Sequence, residues 1–183
     1  MRSESADVPG SGPVRPRNDG DFDACVAVLA AVHESDGYPV NWPDAPSRWL
    51  TPPSLLMSWV AELDGRIVGH IGLSHSGPDD LAPGLWRTRR GTSDAATATA
   101  VVSRLFVSPE ARGHGFGALL MTEATREAAR RALHPVLDVV ATDRAAAALY
   151  ERLGWHRLAT VEQRWAPDQV VSVHCYAAEA CAP

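Results

Sequence analysis

Leu105-Phe106-Val107-Ser108-Pro109-Glu110-Ala111-Arg112-Gly113-His114-Gly115-Phe116-Gly117 leads from an apolar stretch, through a proline turn, into a glycine-rich run. Glycines in such a run let main-chain N–H groups approach an anion closely and turn inward. A helix that opens at Gly115 or Phe116 leaves four N–H groups unpaired in its first turn, at the positive end of its dipole. Together these form a site for phosphate oxygens, to which Arg112 can add a charge-assisted contact. The plain alternative is a glycine-rich strand-to-helix turn that holds no ligand.

Outward from this run, Thr97 to Val107 reads as a strand and Ser108-Pro109-Glu110-Ala111 ends it. The following helix extends to about Leu133, with Leu120, Ala124 and Ala128 at i+4 spacing and Glu127 placed to pair with Arg131. Pro135 breaks the helix, and Val136-Leu137-Asp138-Val139-Val140 reads as a short buried strand. Thr142 or Asp143 caps a second helix through Ala146, Leu149, Tyr150 and Leu153, with Gly154 at its C-terminal turn. Strands near His156–Glu162 and Gln169–Ala177 follow.

Upstream, Val14-Arg15-Pro16 reads as an edge strand, and Asp19 or Asp21 caps a helix that buries Cys25, Val26, Val28, Leu29 and Val32. Prolines across residues 34–57 leave loop and a short helix. Ser58–Leu63 and Arg66–Ser74 form a hairpin around Asp64-Gly65. Gly77, Pro78, Pro83, Gly84 and Gly91 make residues 76–96 a long, mobile connection. A strand, a crossover helix and a strand at 97–140 imply one parallel pair in an otherwise antiparallel sheet, and so an α+β (mixed α/β) fold.

The totals bound the function. The 183 residues suit a single domain, with 45% hydrophobic and 21% charged residues. Residues 1–12 are polar and rich in Gly, Pro and Ser, and are expected to be a disordered tail ahead of a domain at 13–183. A net charge of -5 argues against nucleic acid as a partner. All 17 basic residues are arginine, so no lysine nucleophile exists. Cys25, Cys175 and Cys181 form no C-x-x-C pair, which suits reduced thiols and a cytoplasmic setting. The chain lacks a long apolar span and an apolar leader segment, so no membrane association is expected. Seven scattered histidines make no metal-ligand pattern, and no metal is expected.

Gly113, Gly115 and Ala118 also satisfy the dinucleotide pattern G-x-G-x-x-A, but five residues separate strand from glycine and Asp138 lies inside the next strand. The chain instead resembles the GCN5-related N-acetyltransferase superfamily. Residues 105–117 match its R/Q-x-x-G-x-G/A signature after a V-x-P turn. Leu137-Asp138-Val139 with Asp143, Ala146, Leu149-Tyr150 and Gly154-Trp155 matches a second signature, and the match covers roughly residues 97–160.

The resemblance implies a central, mostly antiparallel sheet of six to seven strands with one splayed parallel pair and about four helices. It implies acetyl-CoA as cosubstrate and an amine acceptor, small molecule or protein N-terminus, that attacks the acetyl group directly in a ternary complex. The strand end Leu105-Phe106-Val107 would pair with pantetheine like an added strand. Backbone groups of Arg112, Gly113, His114, Gly115, Phe116, Gly117 and Ala118 would hold the pyrophosphate, with Asp143 and Ala146 along pantetheine. Tyr150 would protonate the leaving thiolate, or else be a hydrogen-bonded core aromatic. Asp138 would be the base, or else a strand carboxylate bound to backbone, with Glu62, His70, His75 and Ser103 in reserve. Tyr38, Trp42, Trp49, Trp86 and Trp165 fall in segments that border the acceptor in that family, or are ordinary loop packing. A non-catalytic acyl-CoA-binding member of the fold is the alternative, and a homodimer is compatible with either.

Overall fold

The computed structural model describes residues 13–91 and 98–179; the expected N-terminal tail and Cys181 lie outside these. Among the described residues seven strands pair into one sheet: β1 (Val14–Pro16), β2 (Leu55–Leu63), β3 (Arg66–His75), β4 (Thr99–Val107), β5 (His134–Val140), β6 (His156–Ala166) and β7 (Gln169–Ala177). Their order is β1-β2-β3-β4-β5-β7-β6. Asp64 and Gly65 take φ values of 51° and 74°, the left-handed geometry that a tight β2–β3 hairpin turn requires.

Among the described residues only β4 and β5 run parallel, and their ladder holds just Thr99↔His134, Ala100↔Pro135 and Val101↔Val136. Beyond Val101 the two strands part. β3 continues to pair with β4 as far as Gly69↔Val107, and β7 with β5 as far as Val140↔Val173. The facing edges of β4 and β5 therefore keep backbone groups that no neighbouring strand takes up.

Helices cover both faces. α4 (Phe116–Arg130) and α5 (Arg144–Arg152) bury Phe116, Leu120, Met121, Ala124, Ala147 and Tyr150 against one face. On the other, α1 (Phe22–Asp36) packs Cys25, Leu29 and Val32 on Val60 and Phe106, beside the short α2 (Pro46–Trp49). A fifth helix, α3 (Leu81–Arg90), buries Ala82 and Trp86 against Val136, Val173 and Cys175.

α3 replaces most of the mobile connection expected at 76–96, and residues 92–97 lie outside the description. Pro83 sits in its first turn, where its missing N–H has no intrahelical partner to lose. Gly91 ends the helix at φ 66°. Trp86 stacks on His134 with centroids 3.9 Å apart and planes 4° from parallel.

Two further local expectations are corrected. Asp21 does stand at the N-cap of α1 but makes no side-chain cap bond there; in the turn before it Asn18 accepts from the Gly20 amide, while the Asp21 carboxylate accepts from the Asn18 amide at 2.7 Å and from Arg15 at 2.7 and 2.9 Å. α4 ends at Arg130, with Ala132 at φ 55°, so Pro135 is not its breaker but lies within β5. The Glu127–Arg131 pair forms at 2.8 Å as expected.

Candidate functional site

The split between β4 and β5 opens two cavities that share Tyr38, Leu105, Asp143 and Ala146 in their walls. One, of about 590 Å³, runs along Leu105, Phe106 and Val107 to the glycine turn and the start of α4. Gly113 and Gly115 both take φ 80°, which an L side chain adopts at a cost, and no atom lies within 4 Å of where a Cβ would stand on either. The turn is thus shaped by backbone conformation and left open in front. The first α4 amide with a main-chain acceptor is Leu119, which donates to Gly115; among the described residues, Phe116, Gly117 and Ala118 have none. Unpaired amides at a helix start, on a turn without side chains, form a concave donor surface suited to phosphate oxygens.

The charged neighbours of that turn are held in place. Arg112 pairs with Asp36 at the end of α1 and donates through Nε to the Val107 carbonyl at 3.3 Å. Arg112 holds the Asp36 carboxyl below its ordinary pKa. The pair ties α1 to the turn and puts a guanidinium at the cavity wall, where an entering anion would compete with Asp36. His114 folds its ring back, Nδ1 lying 3.1 Å from the Ala111 carbonyl and 3.0 Å from that of Arg112.

The second cavity, of about 350 Å³, opens between the parting strands. Its walls carry Tyr38, Trp49, Ser103, Arg104, Asp138, Tyr150 and Trp165. Asp143 caps α5, its Oδ1 accepting from the Ala146 amide at 2.9 Å, which fixes the helix that presents Tyr150. Tyr150 is 6% exposed and packs near Trp155 and Tyr176. Burial, with Tyr38 and Asp143 nearby, lifts its phenol far above the ordinary value, so the hydroxyl keeps its proton. Among the described residues, that hydroxyl makes no hydrogen bond, whereas Tyr176 donates to Glu151 at 2.8 Å.

Asp138, at an exposed position of β5, lies in the wall of the same cavity beside the start of α3. Desolvation by the surrounding protein raises its pKa above the ordinary carboxylate value, and Asp80 adds to this. The Cys175 thiol and the amides of Ala82 and Leu81 at the start of α3 oppose that shift. Of the reserve bases, only Ser103 lines the cavity. His70 is fully buried between Arg17 and the Arg104 carbonyl, at 3.0 Å from each. Glu62 pairs with Arg15 at 2.7 Å, and His75 ends β3 on the surface.

Of the five aromatics expected near the acceptor, Tyr38, Trp49 and Trp165 line the cavity. Trp42 instead packs on His33 with centroids 5.2 Å apart, and Trp86 belongs to the α3 core. Arg104 was not foreseen. It stands at a bulge where Arg104 and Leu105 together oppose Ile71, between the pairs His70↔Phe106 and Gly72↔Ser103. That register arises from long-range pairing and leaves no local mark in the sequence. Its effect is visible in the packing: Ala100 and Val102 face the α4 core before the bulge, Leu105 and Val107 after it.

A mixed sheet with one splayed parallel pair, fed by a glycine turn into a helix at the split, defines the N-acetyltransferase class of fold. The chain belongs to the acetyltransferase (GNAT) family, which it matches over residues 27–155. The ribosomal-protein-S18-alanine N-acetyltransferase of Escherichia coli is similar in structure, at 16% identity over 90% of this chain and 91% of that one, with a TM-score of 0.63. The ribosomal-protein-alanine N-acetyltransferase of Brucella melitensis gives 20% identity, 90% and 97% coverage, and 0.65. Arabidopsis thaliana NAA60, solved in complex with acetyl-CoA, gives 16%, 90% and 96%, and 0.67. No curated protein matches the sequence. The family and fold support acetyl transfer in general terms.

Proposed function

We propose that the protein is an acetyl-CoA-dependent N-acetyltransferase that passes the acetyl group directly to an amine in a ternary complex. The observation that carries this is the meeting of two cavities at the unpaired β4 edge, with Tyr150 in the wall beside Asp143. In this reading the larger cavity takes the coenzyme. Its diphosphate sits on the amides of residues 113–118, beside Arg112, and its pantetheine arm lies along Leu105, Phe106 and Val107 as an added strand. Asp143 and Ala146 flank that arm.

The smaller cavity receives the amine. Its nitrogen forms a bond to the acetyl carbon as the carbon–sulfur bond breaks. Tyr150, buried and protonated, gives its proton to the departing sulfur. Asp138, with a raised pKa and an opening to the cavity, takes the proton from nitrogen, directly or through a water that Ser103 can hold. That NAA60, a structural neighbour, was solved in complex with acetyl-CoA supports acetyl-CoA as the cosubstrate.

A thiol-release assay with acetyl-CoA over an amine library tests the reading. The expected result is turnover with at least one amine. Tyr150→Phe should lower kcat about 100-fold while leaving the affinity for CoA unchanged. In the wild type, kcat/KM should fall on the acid side at a pH above the ordinary carboxylate value, because the raised pKa of Asp138 means protonation of the base begins there. Asp138→Asn should abolish that limb. CoA binding with no turnover on any amine would leave the non-catalytic alternative, and an unchanged rate in the phenylalanine variant would remove Tyr150 as the acid.

A further inference from the structure

The acceptor cavity holds a charge that neither the transfer chemistry nor the packing accounts for. Arg104 takes φ 56° at the β4 bulge and lies in the cavity wall beside Ser103. Its Nη1 donates to Ser103 Oγ at 2.8 Å, and its guanidinium carbon lies 4.8 Å from the centroid of the Trp49 ring. Its Nε is sealed from solvent with no hydrogen-bond partner. Among the described residues Arg104 forms no ion pair, which it shares with Arg17 and several exposed arginines, but it is the arginine in the wall of this cavity. Among the described residues, neither carboxylate in the same wall pairs with Arg104: Asp143 caps α5, and Asp138 lies beside Cys175 and the start of α3. Burial disfavours the Arg104 charge, and only the Tyr38 phenol is placed to counter this.

A half-buried guanidinium with no anion beside it is a costly arrangement unless a ligand supplies the anion. It is pre-oriented by its stack on Trp49 and by Ser103, and its planar fork suits a carboxylate or a phosphorus oxyacid. A cavity of about 350 Å³ with Val102, Val140 and Trp49 in its walls has room for a molecule the size of an amino acid. We propose that Arg104 is the anion-recognition residue of the acceptor site, and that the acceptor is a small amine that also carries a carboxylate or phosphorus oxyacid group, a free α-amino acid being the simplest case. This rests on the acetyltransferase reading above. It disfavours a protein N-terminus, which carries no such group beside its amine.

The test pairs L-leucine and L-phenylalanine with their amides, and adds 2-aminoethylphosphonate and a neutral peptide. Each is titrated calorimetrically into the CoA-loaded protein and assayed for thiol release. The free acids or the phosphonate should be preferred over the amides and the peptide by about 10- to 100-fold in Kd and in kcat/KM. Which of the two is preferred separates carboxylate from phosphorus oxyacid. Arg104→Met, which can still pack on Trp49, should remove the preference, and Arg104→Lys should keep part of it; unchanged CoA affinity shows that both variants are folded. Equal treatment of acid and amide by the wild type, retention of the preference in Arg104→Met, or no binding of any anionic probe overturns the proposal. Turnover without an acid–amide difference removes this proposal alone. A binding difference without turnover removes the transferase reading and leaves the anion site standing.

Discussion

His70 has no surface exposure, and both of its ring nitrogens are engaged, Nδ1–H donating to the Arg104 carbonyl and Nε2 accepting from Arg17. Burial drives its pKa down to about 3. An imidazole that titrates near 6.5 in the unfolded chain then binds fewer protons when folded, at every pH between those values. Its contribution is whole above about 6.5 and is lost as pH falls toward 3. Denaturant midpoints measured from pH 8 to pH 4 should decline through that window, and His70→Gln should flatten the decline while lowering stability at neutral pH by about 1–3 kcal/mol. At this scale the sequence was legible where a residue's role follows from its own element. Asp143 caps α5, and Tyr150 projects from it into the cavity. Arg104 and His70 were not legible, because each depends on the bulged β3–β4 register, which is set by partners distant in sequence.

The glycine turn and α4 act as one element. Gly115 caps the helix at φ 80° with open space before it. Gly115→Ala should therefore cost only the conformational penalty, about 1 kcal/mol by denaturant titration. CoA affinity should fall about tenfold or more, since relief of the strain turns the amides of the first helical turn. Loss of stability with CoA affinity intact would separate the turn from the ligand. This element was readable in the sequence because glycine spacing, proline turn and helical periodicity agree over one short stretch. α3 was not, because Pro83 and Gly84 signal irregular chain unless their position in a helix is known. Its burial of Trp86 on His134 is a tertiary effect that overrides local propensity.

Across the whole molecule, the succession of elements along the chain and the single parallel pair followed from hydrophobic periodicity and one crossover helix. How far β4 and β5 pair before they part did not, since the length of a ladder depends on the helices packed over both faces. That split joins coenzyme groove to acceptor cavity. The most direct measurement is the change in backbone amide chemical shifts on titration with CoA. The expected result is large shifts at residues 113–118 and along 105–107, with only small changes on β1 and β2. Saturable binding that leaves the amides of 113–118 unmoved would contradict the placement of the diphosphate on that turn.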